Sequence, residues 1–265
     1  NSGTRTRCIS QEHILQVKHD GQWIRRLSAL SKLYFTPTFL GAEYIDASRP
    51  AMYVGNHSMY GIFDSPMLID YLYNEHKVAV VSIADHSHFY VPLWREAVKK
   101  FGAIDGTQHY VRTAMQQGYS ILVFPGGGRE VLKRKGEQYQ LIWKQRYGFL
   151  KLAQEFNYDI VPFAALGGDE VYEIGFDANK IVQHKYFQTL LKVPQLKKLL
   201  RQGDVIPSLP KRLFPKRLPF YFQFMPRQSM AQVHTQEELI AFRQSLQHHI
   251  YTGLAELSVL RQQGQ

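Results

Sequence analysis

Between residues 39 and 163, short apolar runs rich in β-branched and aromatic residues alternate with stretches of helical periodicity, which restricts the chain to few folds. The strand-like runs are 52–54, 78–83, 121–124 and 160–165; helical patterns lie around 65–75, 94–101, 110–117 and 141–156. The runs are short and apolar, as buried strands require. Parallel neighbours need a crossover of roughly a dozen residues, usually a helix. The order of elements therefore predicts an α/β domain with a mostly parallel central sheet flanked by helices.

The flanks differ from this pattern. Residues 1–40 form a basic, amphipathic helical segment with Trp23, Ile24, Leu27, Leu30, Leu33 and Tyr34 at helical spacing, ended by Pro37. A single domain over 41–265 follows, closing with a strand at 220–224 and a helix from 237 to about 260. Within it, a basic insertion at about 185–219 mixes Leu, Phe and Pro with Lys192, Lys197, Lys198, Arg201, Lys211, Arg212, Lys216 and Arg217.

With 265 residues and 45% apolar content, the chain can bury one sizeable core. Its net charge of +10 calls for an anionic partner: nucleic acid, an acidic membrane surface or a phosphorylated cofactor. Simple colloidal solubility is the bland alternative. Cys8, the single cysteine, excludes an internal disulfide and a Cys-rich zinc site. No run approaches the ~18 apolar residues of a membrane span, and Arg5, Arg7 and Glu12 interrupt any signal-peptide core.

Two motifs carry chemistry. Met52-Tyr53-Val54-Gly55-Asn56-His57 reads as a buried strand emptying into a glycine-containing loop, with Asp64 and Pro66 opening a helix. Active sites of α/β sheets lie at carboxyl ends of strands. A His there suits a general base, with Asp64 fixing its tautomer. The structural alternative is a surface His beside a helix-capping Asp. In continuous helix, positions 57 and 64 would lie ~10 Å apart along the axis, so pairing requires a non-helical turn, for which Gly61 is suited.

The second motif is Ile121-Leu122-Val123-Phe124-Pro125-Gly126-Gly127-Gly128-Arg129-Glu130. Its glycines let backbone amides approach an anion, and Arg129 offers a bidentate donor. A plain tight turn with Arg129 and Glu130 paired on the surface is the alternative. No Gly-Lys-Ser/Thr follows, so this is not a P-loop. Lys133, Arg134, Lys135 and Lys144, interleaved with Tyr139 and Trp143, would cradle phosphates or form a solvated basic face.

Together, in this order and about 70 residues apart, these motifs resemble the lysophospholipid (glycerolipid) acyltransferase superfamily over roughly residues 52–173. In detail they are most similar to its branch of diacylglycerol acyltransferase-like and plant phytyl ester synthase-like proteins. The resemblance makes His57 the catalytic base. Phe124-Pro125-Gly126-Gly127-Gly128-Arg129 stands where the family commonly has Phe-Pro-Glu-Gly-Thr-Arg. Ile160-Val161-Pro162-Phe163 matches the family's Val-Pro strand, and Phe101-Gly102-Ala103-Ile104 occupies its acceptor-site block.

There are two departures. Six residues rather than four separate His57 from Asp64. Gly126 replaces the Glu that serves a glycerol-phosphate acceptor, which points to a neutral alcohol such as diacylglycerol or a long-chain alcohol.

The resemblance implies transfer of a fatty acyl group from acyl-CoA or acyl-carrier protein, with no permanently bound cofactor and no metal. His57 and Asp64 would be catalytic. Asn56 and Phe124, Pro125, Gly126, Gly127, Gly128, Arg129 and Glu130 would bind substrate, the glycine amides also serving the oxyanion. Lys133, Arg134 and Lys135 would meet the donor's phosphates. An anionic membrane surface, on its cytoplasmic face, would receive residues 185–219 and the N-terminal segment; no nucleic acid is expected. The competing readings are a lysophospholipid acyltransferase and a non-catalytic basic lipid-binding protein. A serine esterase is excluded because no Gly-x-Ser-x-Gly occurs.

Overall fold

The computed structural model describes residues 19–84, 102–105 and 108–264. Among them are nine strands: β1 (Thr38–Leu40), β2 (Ala51–Gly55), β3 (Val80–Ala84), β4 (Ala103–Asp105), β5 (Ser120–Val123), β6 (Asp159–Leu166), β7 (Ile174–Phe176), β8 (Leu209–Pro210) and β9 (Tyr221–Phe224). Seven form one sheet in the order β1-β9-β6-β2-β5-β3-β4, while β7 and β8 pair separately. Neighbours in the large sheet run parallel except β6 and β9. This is the α/β architecture the alternation predicts.

The central strands are buried on both faces because helices cover both. Met52 and Val54 of β2 enter one core with Ile121, Ile160, Trp143, Leu246 and Ile250. Tyr53, between them, points to the opposite core with Leu122, Val161, Ile24, Phe35 and Met67. The first helix, α1 (Gly21–Phe35), supplies Ile24 and Phe35; α2 (Asp64–Asp70) supplies Met67. The two helices are also joined by a 2.6 Å ion pair from Lys32 to the buried Asp70. Asp20 caps α1 by accepting from the Trp23 amide, and left-handed Thr36 ends it just before Pro37.

The helical pattern around 110–117 forms α3 (Gln108–Gln116), and a short helix, α4 (Gly127–Val131), follows β5. Several expectations are corrected. Of the predicted helix at 141–156, only α5 (Gly148–Glu155) is helical. Residues 141–147 are loop, and Leu141 and Trp143 are apolar because they fill the core, not because they lie on a helix face. The two- and three-residue strands β1, β4, β7 and β8 are too short to show a period. After the short α6 (Asn179–Val182), the basic insertion holds α7 (Lys185–Leu190), α8 (Pro194–Leu199) and β8. The predicted helix at 94–101 lies outside the described residues. The chain closes with α9 (Gln236–Gln263), whose start carries a reciprocal cap between Thr235 and Glu238.

Sheet register brings distant segments to one edge. Parallel pairing sets Val54 beside Val123 and Gly55 beside Phe163, so the segments after β2, β5 and β6 leave side by side. Antiparallel β9 enters at that same edge, with Tyr221 opposite Leu166. β1 begins there too, Thr38 beside Tyr221, which brings the end of α1 alongside.

Candidate active site

His57 follows β2, and its loop returns to Asp64 through a turn in which Tyr60 (φ 63°) and Gly61 (φ 60°) are left-handed. A Cβ on Gly61 would lie 2.6 Å from His57 Cε1, so glycine is needed there for space as well as for φ. The turn brings His57 Nδ1 to 2.9 Å from Asp64 Oδ2 across the six-residue spacing. The same carboxylate oxygen accepts from the Ser58 amide at 2.8 Å. Burial alone would raise the Asp64 pKa, but the facing His57 and these hydrogen bonds hold it at about 2.

With Nδ1 committed to Asp64, the ring presents Nε2 as its second nitrogen. Phe124, the residue after β5, stacks on the imidazole at 3.9 Å between centroids and 14° between planes. Main-chain atoms of His57 are also held: its amide donates to Glu130 Oε1 at 2.9 Å, and its carbonyl accepts from Lys133 Nζ at 2.5 Å.

The glycine motif turns sharply into α4. Here the structure explains Gly126. A Cβ at this position would lie 1.6 Å from Glu130 Oε2, so the Glu130 carboxyl occupies the space a side chain at 126 would need. Burial pushes that carboxyl up to about 7, against the opposing pull of Lys133 and the His57 amide. A Cβ on Gly128 would meet nothing within 4 Å, so this part of the loop borders open space.

Other predicted site residues are reassigned. Arg129 is buried, pairing with Glu137 at 2.5 Å and Asp204 at 3.5 Å; it neither pairs with Glu130 on the surface nor points into open space. Asn56 is sealed between strands: its side chain donates to the Ala165 carbonyl and accepts from the Ala165 amide, both at 2.8 Å. Lys133 is buried against Asp169 at 3.0 Å, and Arg134 donates to Asn179 and the Gly203 carbonyl. Of the three proposed phosphate ligands, only Lys135 is exposed. The Gly127 amide bonds the Phe124 carbonyl, which takes it from the predicted oxyanion donors.

Sequence reasoning missed two participants. Asp169 follows β6 in Gly167-Gly168-Asp169; a carboxylate after a strand end at the edge that carries His57 was a usable signal. Arg146 lies across the glycine turn, donating to the Pro125 carbonyl at 2.8 Å, and nothing in its local sequence announces this. Among the described residues, no cluster of three His, Cys, Asp or Glu could hold a metal.

The acyltransferase family profile matches residues 37–165. The chain is 32% identical over 145 residues to phytyl ester synthase 2, chloroplastic, of Arabidopsis thaliana, covering 52% of this chain and 20% of that protein. It is 27% identical to the DGAT1/2-independent enzyme synthesizing storage lipids of Bos taurus, covering 50% of this chain and 42% of that one. The chain thus spans a fifth to under half of these relatives. The 1-acyl-sn-glycerophosphate (LPA) acyltransferase PlsC from Thermotoga maritima shares the fold, with TM-score 0.54, 15% identity and coverage of 89% of this chain and 79% of that one. Residues 37–165, just under half of the chain, are thus similar to the acyltransferase family.

Proposed function

We propose that this protein transfers a fatty acyl group from the thioester of acyl-CoA or acyl-carrier protein to the hydroxyl of a neutral lipid or long-chain alcohol at a membrane surface. The observation that carries the reading is the 2.9 Å His57–Asp64 contact at the carboxyl end of β2, inside the segment matching the family. His57 Nε2 takes the acceptor's hydroxyl proton as the oxygen attacks the thioester carbonyl carbon. The tetrahedral oxyanion forms beside the glycine turn, where the Gly126 and Gly128 amides are the candidate donors. Its collapse breaks the C–S bond, and the imidazolium returns the proton to the leaving thiolate. Asp64 keeps the proton on Nδ1 and stabilises the imidazolium.

Two features favour a neutral acceptor. Gly126 stands in place of the motif's acidic residue and the Glu130 carboxyl fills its space, engaged with the His57 amide, while Arg129 is tied to Glu137 and Asp204. The names of the relatives, phytyl ester synthase and storage-lipid enzyme, agree with such acceptors.

Membrane docking narrows from the whole of 185–219 to a composite surface. Leu213 and Phe214 are each 87% exposed, and Leu30 and Leu33 of α1 are 78% and 74% exposed. The two segments are stapled together: Tyr34 Oη donates to the Pro215 carbonyl at 2.9 Å, and Arg217 Nε donates to the Tyr34 carbonyl at 3.3 Å. Exposed Arg212, Lys216 and Arg217 surround the apolar side chains, as insertion among anionic headgroups requires. Through the register of β9 and β1, this surface flanks the edge that carries His57. No described helix is long and apolar enough to cross a membrane.

The test is product analysis with labelled acyl-CoA, offering diacylglycerol, long-chain alcohols and lysophospholipids in vesicles. A neutral ester is the expected product. Faster acylation of lysophosphatidate would overturn the acceptor assignment.

A further inference from the structure

We infer that the buried Lys133–Asp169 pair is a positioning device for His57, fixing the loop that carries the base rather than binding substrate. The inference rests on the acyl-transfer reading for its kinetic consequence, but not for its geometry.

Lys133 and Asp169 come from segments after α4 and after β6, 36 residues apart, and both are almost wholly buried. Lys133 Nζ donates to the His57 carbonyl at 2.5 Å and pairs with Asp169 at 3.0 Å. Asp169 in turn accepts from the Met59 amide through Oδ1 at 2.7 Å and from the Tyr139 amide through Oδ2 at 2.6 Å. The pair therefore touches main-chain atoms on either side of Ser58. A Cβ on Gly168 would lie 2.3 Å from Ser58 Cβ, so the turn bearing Asp169 lies directly against this loop.

Left-handed Tyr60 and Gly61 prevent the His57 loop from satisfying its polar groups as a helix would. Those groups need partners from elsewhere. Glu130 meets the amide of His57, Lys133 its carbonyl, Asp64 its ring nitrogen, and Asp169 the amide two residues on. A buried ion pair is a poor source of stability compared with apolar residues of similar volume, because both charges must leave water. It does fix direction, since Lys133 Nζ reaches both Asp169 oxygens and each oxygen also accepts from its own backbone amide. At 2% exposure, Lys133 has no access to a phosphate of the acyl donor.

Full-length Lys133→Met, Asp169→Asn and the double variant test this. Each single change strands a buried charge and should lower both Tm and kcat. In the double variant no charge is stranded, but the single amide oxygen introduced by Asp169→Asn can accept from only one of the Met59 and Tyr139 amides, so Tm should return part of the way to wild type. The turnover should not return: kcat should stay about 10²-fold down, the loss expected from ~1 Å of misplacement, with KM for acyl-CoA within about twofold. Recovery of kcat together with Tm would make the pair merely structural and overturn the inference. So would a rise in KM for acyl-CoA at unchanged kcat, which is the signature of phosphate binding. Proton NMR gives a readout independent of turnover: the downfield His57 Nδ1–H resonance should be broadened or lost in the double variant. An unchanged resonance overturns the inference even if the acyl-transfer reading itself has failed.

Discussion

Basic side chains do opposite jobs in two regions of this molecule. Around His57, Arg129 and Lys133 are buried, each facing a carboxylate, and their role is to hold loops. On the composite surface of α1 and 211–217, Arg212, Lys216 and Arg217 are exposed beside bare Leu213 and Phe214. The first region is tied atom by atom, and small displacements there should be costly. The second is held by a few hydrogen bonds at its base and offers its tips to a partner. A net positive charge therefore says little about function until burial divides it.

If the comparison is right, the largest effects come from the tied region. Asp64→Asn should lower kcat by ~10²-fold or more with little change in KM, because it removes the group that orients the ring. The change should also alter acid stability. Asp64 titrates near 3.9 when unfolded and is held at about 2 when folded. It therefore stabilises the fold fully above roughly pH 4–5, and this contribution fades as pH falls toward 2. Acid titrations of wild type and Asp64→Asn should diverge in that window. Parallel titrations with equal kcat would show that another group orients His57.

The exposed region should respond in binding rather than chemistry. Leu213→Ser with Phe214→Ser should weaken co-sedimentation with anionic vesicles by about tenfold or more, since each inserted side chain contributes roughly 1.5–3 kcal/mol. Replacing Arg212, Lys216 and Arg217 with Gln should reduce binding further and remove its salt dependence, while turnover of a short, water-soluble alcohol persists. Loss of turnover on that substrate would erase the distinction between the regions.

The smallest effect concerns Glu130, whose folded pKa is raised to about 7. A raised carboxyl contributes stability below its unfolded value, about 4.3, and loses it as pH rises through 7. Glu130→Gln keeps the oxygen that accepts from His57. It should raise Tm by a few degrees at pH 8 and leave it nearly unchanged at pH 5. A uniform shift across pH would mean that Glu130 is already charged in the folded state.

The legible parts of the fold were those where one segment carries its own signal. β2, β5 and β6 were visible because strands covered on both faces must be apolar throughout. His57 was visible because it follows such a strand, and the bend before Asp64 because helix geometry forbids the pairing otherwise. Partners of the charged residues were not visible. Lys133 finds His57 and Asp169 across 76 and 36 residues, and Arg129 finds Asp204, all through sheet register that local sequence does not encode. Gly126 looked like a change of acceptor chemistry and is also a steric accommodation of Glu130, which only the side-chain packing reveals. Trp143 sits in a helix-like pattern but serves the core from a loop.

The most direct test of His57 as the base is ester formation by His57→Ala, in vesicles containing a long-chain alcohol and labelled acyl-CoA. The expected result is a loss of at least ~10³-fold in a variant whose Tm lies within a few degrees of wild type, with vesicle binding retained. Ester formation at the wild-type rate by that folded variant would contradict the account.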